Sequence, residues 1–355
     1  LSKQRGSQSV KGQDKPLTIA TLFPFKFPPE SLPATIADRP VQVRSGRYLD
    51  TAAARNIKAA GAPESVIRAS ESPLDDRTRT ALAEAEVVLA LDLPLSTPDL
   101  APQLQWVQAY GAGIGQLLTC LSGVTLTSAA GVGSAAIAEF VIARLLQVNR
   151  RLRDLDERQR ERDWSNIRGE ELAGKTMLLI GLGAIGSDTA RLARAFGMKL
   201  LAVRRRPELS AGDRLVDEVH PPSALLELLP RADVVVLCAP GTRSTDGMIG
   251  ERQLASMKPN AVLVNVARGA LIDEPALIRA LHEGRLRAAV LDVTTQEPLP
   301  PEHEFWGLEN VYLSPHTATS MDGYLPRLLD IFIDNLSRYA NGEPLLNAVD
   351  PAFGY

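Results

Sequence analysis

Three side chains of this 355-residue sequence could share one reaction although they lie far apart along the chain: Arg268 in "NVARGALIDE", Glu297 in "LDVTTQEPLP" and His316 in "LSPHTA". A guanidinium is a planar double donor that can hold a carboxylate and polarise a carbonyl. An imidazole moves a proton near neutral pH, and a carboxylate beside it favours the protonated form. This set meets the needs of hydride addition to a 2-keto acid, whose carbonyl oxygen must gain a proton as its carbon is reduced. Singly, each residue has a plainer reading: a surface ion pair, a Glu-Pro turn, a structural histidine. Their order and the apolar run before each argue for the shared role. The sequence holds four histidines, and the others fit less well: His220 precedes Pro221 and Pro222, His282 sits among charges, and His303 lies in a proline-flanked loop. Neither histidine nor cysteine spacing supplies a ligand cluster, so no metal is expected.

A second motif supplies an anion site. In "LLIGLGAIGSDTARLARAFG", Gly181, Gly183 and Gly186 follow a strand-like run and open a helix-like one. The first glycine permits the tight turn, the second lets a pyrophosphate approach the backbone, and the third lets helix and strand pack closely. The helix start at Ala184 and Ile185 presents N–H groups to the anion. The next strand, "KLLAV", ends in Arg204, Arg205 and Arg206, where such units usually carry an acid. An acid there binds both ribose hydroxyls and repels a 2′-phosphate, whereas arginine forms charge-assisted bonds with it. Arg204 and Arg205 therefore point to NADP over NAD, with NAD(H) still possible; the plainer reading is a solvated charge run.

The elements that must position these residues are regular. "TMLLIGL", "KLLAV", "ADVVVLCA", "AVLVNVA", "RAAVLDV" and "NVYLSP" are apolar runs separated by helix-like stretches such as Asp188 to Phe196 and Glu274 to Glu283. Strands apolar on both faces imply a parallel sheet covered by helices, with ligands bound outside the strands' carboxyl ends. Upstream, "LTIATLF", "VVLALDL" and "QWVQAYG", with a helix over Asp75 to Ala85, suggest a separate α/β layer, and a long helical stretch runs from Ala135 to Asp163. The length itself favours two domains. Hydrophobic residues are 45%, charged residues 23% and the formal charge −3, so neither nucleic acid nor an acidic membrane is attracted by the chain as a whole. Two cysteines in apolar surroundings, Cys120 and Cys238, read as reduced thiols of a cytoplasmic protein. Residues 1–16 read as a disordered tail.

Together with "WVQAYGAGIG" and "GVGSAAIAEFVIARLL", these motifs make the sequence resemble the D-isomer-specific 2-hydroxyacid dehydrogenases, and among them the glyoxylate and hydroxypyruvate reductases. The resemblance implies two doubly wound parallel-sheet α/β domains, a Rossmann-type NAD(P) domain over 119–321 inserted into a smaller flavodoxin-like substrate domain over 17–118 and 322–355. It implies that Arg268 binds substrate, that Glu297 pairs with His316, the acid/base, and that Gly111, Ala112 and Gly113 offer N–H groups to the substrate carboxylate. Asp292 would contact the nicotinamide carboxamide, and Ala239, Pro240 and Val266 would line the cofactor. A homodimer is implied too, with an interface role for Phe140 to Trp164. The sequence departs from the family pattern at Arg204, at Thr294, where an aromatic is frequent, and at Gly115, where an acid is common. The expected activity is NADPH-preferring reduction of small 2-keto acids to D-2-hydroxyacids. The alternatives are an NAD-using 2-hydroxyacid dehydrogenase and a dinucleotide-sensing, corepressor-like regulator of the same fold.

Overall fold

A computed structural model describes residues 15–23, 27–48, 74–118, 120–121, 123–210 and 214–350. The tail expected at the N-terminus lies, up to residue 14, outside the described residues. The chain divides into two compact units, one formed mainly by residues up to 129 and from 325 on, the other by residues 130–324.

The first unit is built on β1 (Leu17–Leu22), β2 (Thr35–Ile36), β3 (Arg39–Gly46), β4 (Val87–Ala90), β5 (Trp106–Ala109) and β6 (Thr125–Thr127). Their order is β2-β3-β1-β4-β5-β6, all parallel except the β2–β3 hairpin. Without β2 this is the flavodoxin-like order, which reverses between β1 and β4. Ala37 and Asp38, both with positive φ, close the hairpin in two residues, as a right-twisted ribbon requires. The short β6, which the sequence reading gave to the inserted half, pairs with β5. Helix α1 (Asp76–Glu84) begins where expected because the Asp75 carboxylate accepts the Thr78 N–H.

The second unit carries β7 (Thr176–Ile180), β8 (Lys199–Val203), β9 (Glu218–His220), β10 (Val234–Leu237), β11 (Ala261–Asn265), β12 (Leu286–Leu291) and β13 (Val311–Leu313). Its order, β13-β12-β11-β10-β7-β8-β9, is wholly parallel and reverses between β7 and β10, the doubly wound arrangement. The continuous apolar runs are explained by two cores. Leu178 and Ile180 enter one, Met177 and Leu179 the other, so both faces of β7 are covered.

The expected long helix is instead two, α2 (Ser134–Asn149) and α3 (Leu152–Glu161). Arg151 between them has φ 54°. The break has a cause beyond the helix itself: the Asn149 carbonyl accepts the Glu170 N–H at 2.8 Å, and Gly169 presses so close that a Cβ there would sit 2.8 Å from the same oxygen. Helices α4 (Ala184–Ala195) and α5 (Glu274–His282) follow β7 and β11. Among the described residues no helix is long and apolar enough to cross a membrane, and both Cys120 and Cys238 are free thiols.

The last helix, α6 (Tyr324–Asn341), returns to the first unit. Phe332 and Tyr339 pack on the Trp106 ring with centroids 5.3 and 5.6 Å away, and the Trp106 indole N–H donates to Thr127 Oγ1 at 2.8 Å. Tyr339 also donates to Glu86, whose carboxylate is held by both Nη atoms of Arg39. Phe332 is fully buried, so Phe332→Ala should cost about 3–5 kcal/mol of the first unit's stability. Urea denaturation followed by the fluorescence of Trp106, which is buried while Trp164 and Trp306 are exposed, checks this.

Candidate active site

Every strand of the second sheet points the same way, so the loops after β7, β8, β10, β11, β12 and β13 emerge at one edge. The loop after β11 carries Arg268. Asn265, the buried last residue of that strand, accepts the Ala267 N–H through Oδ1 at 3.1 Å and donates from Nδ2 to the Arg268 carbonyl at 2.8 Å. This side-chain turn fixes the backbone of Arg268. The guanidinium is half-buried and donates to the Ala267 carbonyl at 2.5 Å. Burial pushes its pKa down, while the negative charge of Glu297 opposes the shift.

Glu297 belongs to the loop after β12. Its Oε1 accepts the Thr294 N–H at 3.1 Å and its Oε2 lies 2.9 Å from His316 Nδ1. A carboxylate only accepts, so Nδ1 carries a proton and Nε2 is the nitrogen left to serve a substrate. Burial alone would raise the Glu297 pKa. The hydrogen bond and charge of His316, the Thr294 N–H and the charge of Arg268 outweigh it and hold the carboxyl below its usual range. The site thus keeps a negative group behind its histidine and a positive one within reach of that carboxylate.

Asp292 organises the third loop. Its buried carboxylate accepts from Ser314 Oγ at 2.6 Å and from the Thr317 and Ala318 N–H groups at 3.0 Å each. Its carbonyl accepts the His316 N–H at 2.7 Å. His316 is thereby held at φ 53°, a left-handed conformation uncommon outside glycine, though histidine adopts it more readily than most side chains.

Glycines let the three loops approach. A Cβ on Gly269 would lie 2.0 Å from the Thr294 carbonyl carbon, and one on Gly241 would lie 2.9 Å from Arg268 Cγ. Asn265, Gly241, Gly269 and Ser314 are site residues that sequence reasoning missed. A polar residue ending the apolar run "AVLVN" was the one legible signal among them.

The glycine turn at the sheet's reversal point explains itself by its contacts. Gly181 has φ +106°, and a Cβ there would sit 2.7 Å from the Cys238 carbonyl oxygen; on Gly186 it would sit 2.2 Å from the Gly181 oxygen. Both must be glycine for the protein's own sake. Gly183 differs: its φ is negative, it is exposed, and nothing lies within 4 Å of its Cβ position. The space it leaves free opens onto the start of α4, which has no side-chain cap and whose amides at Ala184, Ile185 and Gly186 precede the first internal bond, from Ser187 N–H to the Gly183 oxygen at 2.9 Å. That arrangement fits a pyrophosphate.

Arg204 follows the last residue of β8 directly, its N–H bonded to the His220 carbonyl of β9, with Arg205 exposed beside it. Ala239 and Pro240 follow β10, and buried Val266 follows β11, on the same edge of the sheet. Gly111, Ala112 and Gly113 lie in the first unit, in the loop after β5, where the Gly111 carbonyl accepts the Ala129 N–H at 3.0 Å. The structure therefore brings Glu297 and His316 into contact, with Arg268 within electrostatic reach.

Comparison with known proteins agrees with this geometry. Residues 142–318 match the NAD binding domain of the D-isomer specific 2-hydroxyacid dehydrogenases. A glyoxylate reductase from Thermococcus gammatolerans is 38% identical over 257 residues, which are 69% of this chain and 76% of that protein. A D-isomer specific 2-hydroxyacid dehydrogenase from Xanthobacter autotrophicus, solved with NADPH and MES, superposes with a TM-score of 0.77 at 26% identity, over 95% of this chain and 99% of that one. The NADPH-dependent glyoxylate/hydroxypyruvate reductase of Sinorhizobium meliloti, solved with NADP and sulfate, gives 0.72 at 25% identity, over 95% and 100%. The chain belongs to the D-isomer specific 2-hydroxyacid dehydrogenase family. It is an NAD(P)-dependent oxidoreductase.

The two kinds of glycine can be separated. Gly186→Ala should destabilise the second unit by several kcal/mol, on the order of an overpacked core site. Gly183→Val should leave the thermal midpoint near wild type while weakening dinucleotide binding at least about ten-fold, since only the ligand needs that space. Calorimetry and fluorescence titration with NADPH measure both.

Proposed function

We propose that this chain is a cytoplasmic reductase that prefers NADPH and converts small 2-keto acids, glyoxylate and hydroxypyruvate among them, to 2-hydroxyacids, of D configuration where a stereocentre forms. The observation that carries this reading is the 2.9 Å pair of His316 and Glu297 on loops neighbouring half-buried Arg268. The names of the relatives in Thermococcus and Sinorhizobium support the substrate class.

In this reading the dinucleotide lies along Gly181, Gly183, Ala184, Ile185 and Gly186, bordered by Ala239, Pro240 and Val266, and its reduced nicotinamide supplies the hydride. Arg268 holds the substrate carboxylate and polarises the carbonyl. His316 donates the Nε2 proton to the carbonyl oxygen, and Glu297 stabilises the imidazolium before transfer. Asp292 keeps an Oδ2 position for the nicotinamide amide beyond the Ala318 N–H it already accepts. Arg204 and Arg205 take the 2′-phosphate, on the argument that a cation stands at the end of β8 in place of an acid.

We also propose a homodimer joined through the stretch from Phe140 to Trp164. Trp164 is fully exposed, as Leu152 and Leu155 partly are, although its loop is built: Arg158 donates to the Ser165 carbonyl at 2.9 Å and to its hydroxyl at 2.7 Å. An anchored, bare indole is suited to a partner surface.

Purified protein should oxidise NADPH faster than NADH with glyoxylate or hydroxypyruvate, and Arg204→Glu should reverse the preference by about ten-fold or more in kcat/KM, a change of ~1.4 kcal/mol. A wild-type preference for NADH sinks the phosphate argument. Reduction needs His316 protonated and oxidation needs it neutral, so initial rates in the two directions should change oppositely with pH, and His316→Ala should abolish both dependences. Sedimentation should find a dimer for wild type and a monomer for Trp164→Asp.

A further inference from the structure

We propose that Glu274, outside the reacting groups, is a positioning residue for the Glu297–His316 pair; this rests on the functional reading above. The turn from Thr294 to Glu297 is short and largely self-bonded. Glu297 folds back to accept the Thr294 N–H at 3.1 Å, and Thr294 Oγ1 donates to the Gln296 carbonyl at 2.8 Å. What ties the turn to its surroundings is the next amide: the Thr295 N–H donates to Glu274 Oε1 at 2.6 Å.

Glu274 is placed to hold it firmly. It is the first residue of α5, whose start is fixed by the Asp273 carboxylate accepting the Ala276 N–H at 3.0 Å. The positive end of the helix faces its charge. Its other oxygen lies 3.8 Å from Nε2 of His303, and both side chains are largely shielded from water. His303 has no freedom of tautomer when neutral, because its Nδ1 accepts the Phe305 N–H at 3.2 Å; the ring proton must then sit on Nε2 and face Glu274. On the opposite side the turn rests on Gly269, where even a methyl group would overlap the Thr294–Thr295 peptide.

The peptide between Thr294 and Thr295 is thus gripped between the Arg268–Gly269 backbone and the start of α5. In that position Glu297 presents Oε1 to its own turn and Oε2 to His316. Loss of the grip frees the turn to rotate and separates the carboxylate from Nδ1. The charged groups facing Glu297 are His316 and Arg268, and the one facing Glu274 is His303.

The test compares the full-length wild type with Glu274→Ala and Glu274→Gln. Glutamine keeps an acceptor for the Thr295 N–H, and alanine does not. In Glu274→Ala, kcat should fall about ten-fold with KM and the NADPH dissociation constant nearly unchanged. Because Glu297 is held below its usual range partly by His316, separation raises it, and the acid limb of kcat/KM should move to higher pH. Glu274→Gln should restore both. A readout independent of turnover is the tautomer of neutral His316 in long-range 15N spectra: wild type and Glu274→Gln should carry the ring proton on Nδ1, Glu274→Ala increasingly on Nε2. The proposal is overturned if Glu274→Ala keeps the wild-type tautomer and pH profile, or if both variants lose activity only in proportion to folded protein. Should the wild type reduce no 2-keto acid, the functional reading fails, and the tautomer comparison still decides the role of Glu274.

Discussion

A carboxylate buried among parallel strand ends must have its lone pairs filled, and that requirement at Asp292 organises the rest of the site. Three donors reach it from Ser314, Thr317 and Ala318, and all three belong to the loop that carries His316. An unpaired buried carboxylate would cost several kcal/mol, so this loop cannot relax away without leaving that cost behind. The left-handed φ of His316 is sustained by the same bonds. The position of His316 is therefore set by desolvation at a neighbour and not by its own contacts alone. The sequence reading gave Asp292 a cofactor role; its bonds add a structural one that a motif cannot express.

The same economy governs the glycines. Gly181 and Gly186 are forced by backbone atoms of the protein within 2.7 Å of where a Cβ would be, and Gly269 by the turn bearing Glu297. Gly183 is forced by nothing in the chain. Open space at a Cβ position is not rare among the described glycines, but at Gly183 it lies before an uncapped helix start, where it suits the approach of an anion. This inference is stronger than the spacing of three glycines, since the spacing alone does not distinguish steric need from ligand need.

How much of this was legible in the sequence depended on whether the signal was local. Continuous apolar strands announce burial on both faces, so β7, β8, β10, β11, β12 and β13 could be read directly, and with them the sheet edge that gathers Arg268, Glu297 and His316. β6 and β9 are three residues each, too short to show a period, and β3 is only partly buried, its apolar alternation confined to Val41 and Val43. The division of one expected helix into α2 and α3 was invisible for a different reason. It is imposed by Gly169 and Glu170, which return from further along the chain to bind the Asn149 carbonyl. Gly241 and Gly269 were missed likewise, because the groups they make room for, Arg268 and the Thr294–Thr295 peptide, are remote in sequence, whereas Asn265 bonds to nearby Ala267 and Arg268 and its effect is on their backbone.

The electrostatic design follows from these constraints. With a formal charge of only −3, the chain has no long-range field to draw in an anion, so each anionic group of a ligand must be met locally. The backbone N–H groups at the start of α4 can meet a pyrophosphate without adding net charge. Arg268 can meet a carboxylate because burial removes competing water, a guanidinium keeps its charge even so, and nearby Glu297 opposes in part the downward shift that burial imposes. Glu297 in turn stays ionised against its own burial only through His316, Thr294 and Arg268. Arg268 and Glu297 thus act on each other's charge, and His316 acts on that of Glu297. The pair distance of 2.9 Å between Glu297 and His316 is the point at which this mutual dependence is most exposed to geometry, and it is the reason that residues behind the turn, which touch no ligand, bear on the chemistry.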